Sequence, residues 1–166
     1  MVRAPWNPAG DNGPVTELGT SAKPRRVGLV GCVKEKASRA MPAQDLYTSS
    51  LFAGRRHFVE SSCDEWWILS AEHGLVHPGD ELAPYDVTLK DAGRAQRRDW
   101  SAQVLASIDQ RVRPRPGDVF EIHAGAEYRD FGLLEGLRSR GCTIEIPTEG
   151  MRIGHQLRFY KEATSS

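Results

Sequence analysis

Short apolar runs alternate with segments whose apolar residues recur at helical spacing from Arg25 onward, whereas residues 1–24 show no repeating period. Val27-Gly28-Leu29-Val30, closing in Gly31-Cys32, reads as a buried strand entering a loop. A helix over about 48–61 follows, capped by Thr48 or Ser49, with Leu51, Phe52, Phe58 and Val59 near one face. Residues 65–70 (Glu-Trp-Trp-Ile-Leu-Ser) form a second buried strand, and a long loop containing proline and glycine runs over about 71–86. A second helix is expected over 91–112, with Trp100, Val104, Leu105 and Ile108 as its buried stripe, ended by Pro114, Pro116 and Gly117. A third strand over 118–123 leads into a helix over 127–140 that buries Leu133, Leu134 and Leu137 and stops at Gly141. A fourth strand over 143–146 and a last helix over about 151–163, carrying Ile153, Leu157 and Phe159, complete the pattern.

Strands alternating with helices indicate an α/β fold. The expectation is a three-layer Rossmann-like domain over 25–163, with a mostly parallel sheet of about four strands. Residues 1–24 hold Pro5, Pro8, Pro14 and Pro24 with Gly10, Gly13 and Gly19 and cannot bury enough surface to offset ordering entropy, so a disordered tail is expected there. No function attaches to it, Trp6 included.

Charge narrows the choice. Lysine plus arginine and aspartate plus glutamate each total 22, giving a net charge of zero. A generic nucleic-acid coat protein would carry a basic surplus, although a local basic face stays open. No apolar run approaches the roughly 18–20 residues that span a bilayer, which excludes a transmembrane helix. Cys32, Cys63 and Cys142 are widely spaced, without a CxxC or Cys/His cluster, so no metal, no disulfide framework and no cofactor are expected. The first residues lack a charged-then-apolar leader profile, and a reducing cytoplasmic setting is expected.

In open α/β sheets ligands sit beyond the carboxyl ends of the strands. The chemistry-bearing residues of this chain fall at those ends. Strand one leads to Cys32, Lys34 and Lys36. Cys32 is either a small buried side chain or a thiol activated by a neighbouring lysine. The lysines are either solvated or hold a phosphate. Asp45 is a helix-entry residue or an acceptor for a base or sugar, with Tyr47 beside it as a candidate ligand contact. Arg55-Arg56-His57 reads as a solvated helix face rather than a phosphate clamp. Strand two leads to Ser70, His73, Tyr85 and Asp86. His73 can serve as acid, base or donor, and Tyr85 offers a flat face and a hydroxyl, unless the loop simply packs on itself. After strand three, Gly125 allows close backbone approach at a helix start, with Glu127 and Tyr128 following. Glu149 is either a carboxylate near a helix cap or the group that opposes a developing ribosyl cation, and Gly154 and Gln156 sit just beyond it. GxGxxG spacing, a Walker lysine, HExxH and GxSxG are all missing.

The segments LVGCVKEK, DLYTSSLF, WWILSAEHGLVHPGDELAPYDVTL and MRIGHQLRFY together resemble a small bacterial and phage family of domains with no assigned function, over residues 26–160. The central segment is similar to that of the YaaA peroxide-stress proteins, with Asp86 standing where those proteins usually have arginine. Cys32 and Lys36 resemble the cysteine-and-lysine segment of the archaeosine synthase core domain, without its following Pro-Tyr. These resemblances imply association with a nucleobase or nucleic acid. The expected function is therefore processing of a nucleotide or nucleic-acid base at an N-glycosidic bond. Glu149 or His73 would do the acid–base work, Tyr85 would stack on the base, and Asp45 or Asp86 would hold base or sugar. Lys34, Lys36 and the Gly125 helix start would hold phosphate. The alternative from another class is a non-catalytic, stress-associated nucleotide- or DNA-binding module, which needs Arg55, Arg56, Arg94, Arg97, Arg98, Arg152 and Arg158 on one face. A third is a partner-binding protein whose rim binds nothing small.

Overall fold

A computed structural model describes residues 23–165, so the expected tail, apart from its last two residues, lies outside the described residues. Four strands run parallel: β1 (Arg26–Gly31), β3 (Glu65–Ser70), β6 (Val119–His123) and β7 (Thr143–Glu145). A fifth, β4 (Gly74–Val76), pairs antiparallel with β3 at the edge, and the sheet order is β4-β3-β1-β6-β7. The sheet is thus mixed and mostly parallel, with one strand more than expected.

The extra strand comes from the segment expected to be loop. Residues 71–73 turn the chain, Gly74 takes a left-handed φ of +72°, and Gly74-Leu75-Val76 lies back along β3. Further on, β5 (Glu81–Leu82) pairs with β2 (Met41–Pro42), which leads into the one-turn helix α1 (Ala43–Leu46). Runs of two or three residues are too short to show a period of two.

Helix α2 (Ser50–Ser62) starts where Ser49 Oγ accepts the Phe52 amide at 3.1 Å. It lies against β1 because position 28 is glycine; a Cβ there would come within 2.7 Å of Val59 Cγ1. Helix α6 (Ile153–Ser165) packs on α2. Gly54 permits that approach, since a Cβ would meet Tyr160 Cβ at 2.7 Å. The buried face of α6 is therefore set by Tyr160, 2% exposed, while Ile153 and Leu157 are 55% and 36% exposed rather than turned into the core. Helix α3 (Arg94–Ser107) packs on α5 (Leu133–Ser139) and on the short α4 (Ala126–Arg129). The single helix expected over 127–140 is broken in two at Gly132, whose φ of +127° suits glycine alone. The helix expected over 91–112 is shorter as well, because α3 passes into a wide turn over Ile108–Val112 that ends on left-handed Arg113.

The connections place the site. From β1 the chain passes through α2 to β3 on one side, and from β3 through α3 to β6 on the other side of β1. The carboxyl ends of β1 and β6 therefore lie side by side where the connections diverge, a position that leaves a crevice open for ligands.

Candidate functional site

At that divergence the two strand exits nearly touch. A Cβ on Gly31 would stand 2.9 Å from Ala124 Cβ, so glycine is what lets the exits of β1 and β6 close together. Just beyond, Cys32 Sγ and Tyr128 Oη are 3.2 Å apart. A cleft of about 910 Å³ opens over this junction. Its polar lining is mixed, with Lys34, Lys36 and Lys90 facing Glu35, Asp86 and Glu127. Its apolar lining is unusual: Val87, Ile153 and Leu157, the large hydrophobic side chains that the described surface leaves exposed, all belong to it. Apolar surface kept open to water in one concave place marks a binding surface.

The sequence-derived candidates divide into three groups. Cys32, Lys34, Lys36 and Asp86 line the cleft, as do Gly125, Tyr128 and Gln156. Ser70, Tyr47 and Tyr85 stand behind this lining as a hydroxyl cluster. Ser70 Oγ donates to Tyr85 Oη at 2.8 Å and accepts the His73 amide at 3.0 Å, and the two tyrosine oxygens are 2.6 Å apart. Burial pushes the Tyr47 hydroxyl up to about 12 and raises Tyr85 further, so both remain protonated donors. Lys36 Nζ sits 4.4 Å from the centre of the Tyr85 ring and donates to Lys34 O, which covers one face of the ring expected to stack on a base. The third group lies off the lining. Asp45 is paired with Arg56 at 3.2 Å, His73 is exposed in the β3–β4 turn, and Gly154 is exposed on the first turn of α6. Glu149, its side chain 69% exposed, faces Arg129 at 3.8 Å.

Two further findings change the chemistry of the rim. The Glu127 carboxylate folds back over Gly125, its oxygens 2.7 and 2.8 Å from where a Cβ would be. The helix that Gly125 opens is a single turn, too short for an appreciable dipole. An anion at that helix start thus has little to attract it, and Glu127 itself becomes the carboxylate at the divergence of β1 and β6.

The second finding is Arg55, which is buried rather than solvated. Its position explains this: Phe52, Arg55 and Val59 share the buried stripe of α2. Arg55 Nη1 donates to Gly31 O at 3.2 Å and Nη2 reaches Gln156 Oε1 at 3.5 Å, with the Tyr160 hydroxyl nearby. Behind Tyr160 a buried chain continues. Tyr160 Oη is 2.6 Å from His123 Nδ1, His123 Nε2 is 2.8 Å from Glu121 Oε1, and Arg26 Nη2 donates to Glu121 Oε2 at 2.7 Å. Burial holds the His123 ring below its usual range despite Glu121 beside it, so the ring is neutral at pH 7. With Glu121 ionised, the proton sits on Nε2 and the Tyr160 O–H donates to Nδ1.

No group of three or more metal-ligating side chains is assembled among the described residues, and none of their helices is long and apolar enough to cross a membrane. Buried Arg55 cannot join an exposed basic face, and Arg56 is tied to Asp45 and Glu60.

Residues 27–162 match the family described as "Family of unknown function (DUF6884)". The chain is 34% identical over 71 residues to the "Uncharacterized protein YfjM" of Bacillus subtilis (strain 168), a region covering 39% of this chain and 47% of that protein. The match thus spans about half the length of that relative. No solved structure matches.

Proposed function

We propose that this chain, which belongs to the DUF6884 family of unknown function, binds a nucleotide or a nucleic-acid base in the cleft at the β1–β6 junction and cleaves or exchanges its N-glycosidic bond. The observation that carries the reading is the composition of the cleft. Val87, Ile153 and Leu157 offer an apolar wall to a flat base, while Lys34 and Lys36 stand within the same lining. The volume of about 910 Å³ suits a ligand of nucleotide size. We read the architecture as three-layered and Rossmann-like, the class in which such ligands lie at the carboxyl ends of the strands. Three free cysteines suit a reducing, cytoplasmic setting.

In this reading the apolar wall takes the stacking role first considered for Tyr85, and Glu127 takes the acid–base role first considered for Glu149 and His73. The C1′–N bond breaks, its electron pair leaves on the base nitrogen, and that nitrogen takes up a proton from solvent. Water adds to C1′ and gives its proton to Glu127, whose carboxylate also faces the ribosyl cation as it develops. Asp86 holds the base edge or the sugar hydroxyls. The Tyr85–Ser70–Tyr47 cluster fixes the position of Lys36 from behind.

The test is thermal melting with nucleoside monophosphates, nucleosides and free bases, followed by an assay for released base. A ligand at 100 times its Kd adds about 2.7 kcal/mol and raises Tm by roughly 5–10 °C for a chain of this size. Glu127→Gln is expected to keep that shift and lose release of base. Binding without release in the unaltered protein would turn the reading to a non-catalytic nucleotide-binding module. Absence of any shift would refute it.

A further inference from the structure

Arg55 presents an electrostatic imbalance. It is 6% exposed and is the buried cation among the described residues. Its hydrogen-bond partners are a backbone carbonyl and a side-chain amide, both neutral, and the nearby Tyr160 hydroxyl is neutral too. The carboxylate whose field reaches it, Glu127, is turned back over Gly125. Arg55 Nε is sealed from water with no acceptor, and the contact from Nη2 to Gln156 is at the outer limit for a hydrogen bond. A guanidinium carries five donors in a planar fork shaped for two oxygens of one anion. Burying one without a paired carboxylate is costly, and removing water from it pulls its pKa down from the usual range. Its setting adds to the pattern: Arg55 lines the cleft, holds the carbonyl of the last residue of β1, and touches the first turns of α6 through Gln156.

A purely structural pin would use a carboxylate, as Arg26 does with Glu121 and Glu145 and as Arg25 does with Asp118 and Glu65. The carboxylate at the far end of the Tyr160–His123 chain, Glu121, is already balanced by Arg26. The chain also settles which way Tyr160 points its proton. That proton goes to His123, and the neutral hydroxyl leaves the charge of the guanidinium uncancelled.

We propose that Arg55 is the anion receptor of the cleft: a compact oxyanion on the ligand, phosphate or carboxylate, takes the Nη2 side of the guanidinium in place of the Gln156 amide oxygen. This deepens the reading of the cleft as a ligand site and rests on it, adding that the ligand is anionic and that a buried arginine, not the surface lysines, is its anchor. Gln156 is the occupant in the free protein, and Lys34 adds attraction from the rim.

The experiment uses the full chain and measures binding by the rise in Tm against sodium phosphate and sodium acetate, with sodium chloride at matched ionic strength as reference. Phosphate or acetate should stabilise the protein where chloride does not, and the stronger of the two identifies the oxyanion. Arg55→Lys keeps the charge but not the fork and should weaken that affinity by on the order of tenfold or more. Gln156→Ala leaves Arg55 in place, removes the internal competitor and should tighten binding, which keeps the question answerable if Arg55→Lys fails to fold. Failure of both oxyanions to bind, unchanged affinity in a folded Arg55→Lys protein, or unchanged or weakened affinity in Gln156→Ala would each overturn the proposal. A nucleoside that stabilises the protein equally with and without Arg55 would leave the base site standing and remove the anchor. Phosphate bound through Arg55 with no response to any base or nucleoside would do the reverse.

Discussion

Replacing Glu121 by Gln tests the buried chain behind the site. Glu121 is 1% exposed and is met by His123 Nε2 at 2.8 Å, Arg26 Nη2 at 2.7 Å and Ser62 Oγ at 3.0 Å. Burial alone would push its carboxyl up, yet the hydrogen bonds from His123 and Arg26, with that from Ser62, hold it down at about 2 against an ordinary value of 4.5. A carboxyl whose folded pKa is depressed stabilises the protein above its unfolded pKa and loses that contribution as pH falls through the folded one. The drop from 4.5 to about 2 corresponds to roughly 3 kcal/mol, fully present at pH 7 and lost between about pH 5 and pH 2. His123 acts in the same direction: held neutral by burial, its contribution is present above the usual histidine pKa and declines as pH falls. Urea unfolding at pH 7, 5, 4 and 3 measures both. Glu121→Gln should lose about 3 kcal/mol at pH 7 with an unchanged m value and show a flatter decline from pH 5 to 3. A loss under about 1 kcal/mol at pH 7, or an undiminished decline in acid, would refute the assignment of Glu121 as the ionised centre of the chain.

Two further outcomes follow from the geometry of the rim. Gly31→Ala places a Cβ 2.9 Å from Ala124 Cβ and 3.2 Å from its Cα, and should cost about 1–3 kcal/mol in urea unfolding; a change within about 0.5 kcal/mol would show that the two strand exits have room to part. Tyr85→Phe removes the acceptor of Ser70 and the partner of Tyr47 and should cost about 1–2 kcal/mol. Combined with Tyr47→Phe the loss should be less than the sum of the single losses, because the two hydroxyls share one bond, and strict additivity would contradict that bond.

The sequence shows strands best where apolar residues run unbroken. β1 and β3 were readable because Val27–Val30 and Trp67–Leu69 are apolar throughout, and β6 because Phe120 and Ile122 flank a lone charged residue, Glu121. β4 was hidden because three residues after a turn carry no period, and α4 and α5 merged because Gly132 reads as one glycine within a helical pattern. At the site, placing the cleft at the strand ends needed only the alternation of elements, and Cys32, Lys34, Lys36, Asp86, Gly125, Tyr128 and Gln156 follow from it. Arg55 was misread because its neighbours Arg56 and His57 suggest a wet face, although the spacing Phe52–Arg55–Val59 placed it on the buried stripe. For α6 the apolar count favoured Ile153 and Leu157. The buried face instead follows Tyr160, whose hydroxyl is satisfied by His123, a partner 37 residues earlier that no local pattern can show.

The contact between Cys32 and Tyr128 joins residues 96 positions apart, and the Arg55–Gln156 contact joins residues 101 apart. Contacts of such separation form late in folding, after most of the loop-closure entropy has been overcome. The cleft therefore has no local precursor: neither wall is complete until β1 and β6 have paired and α6 has docked. A partially folded chain would retain the lysines and carboxylates but not the pocket they line. Ligand binding should accordingly protect amides throughout the sheet against hydrogen exchange, and its energy should appear in the global opening reaction rather than in the fluctuations of one loop.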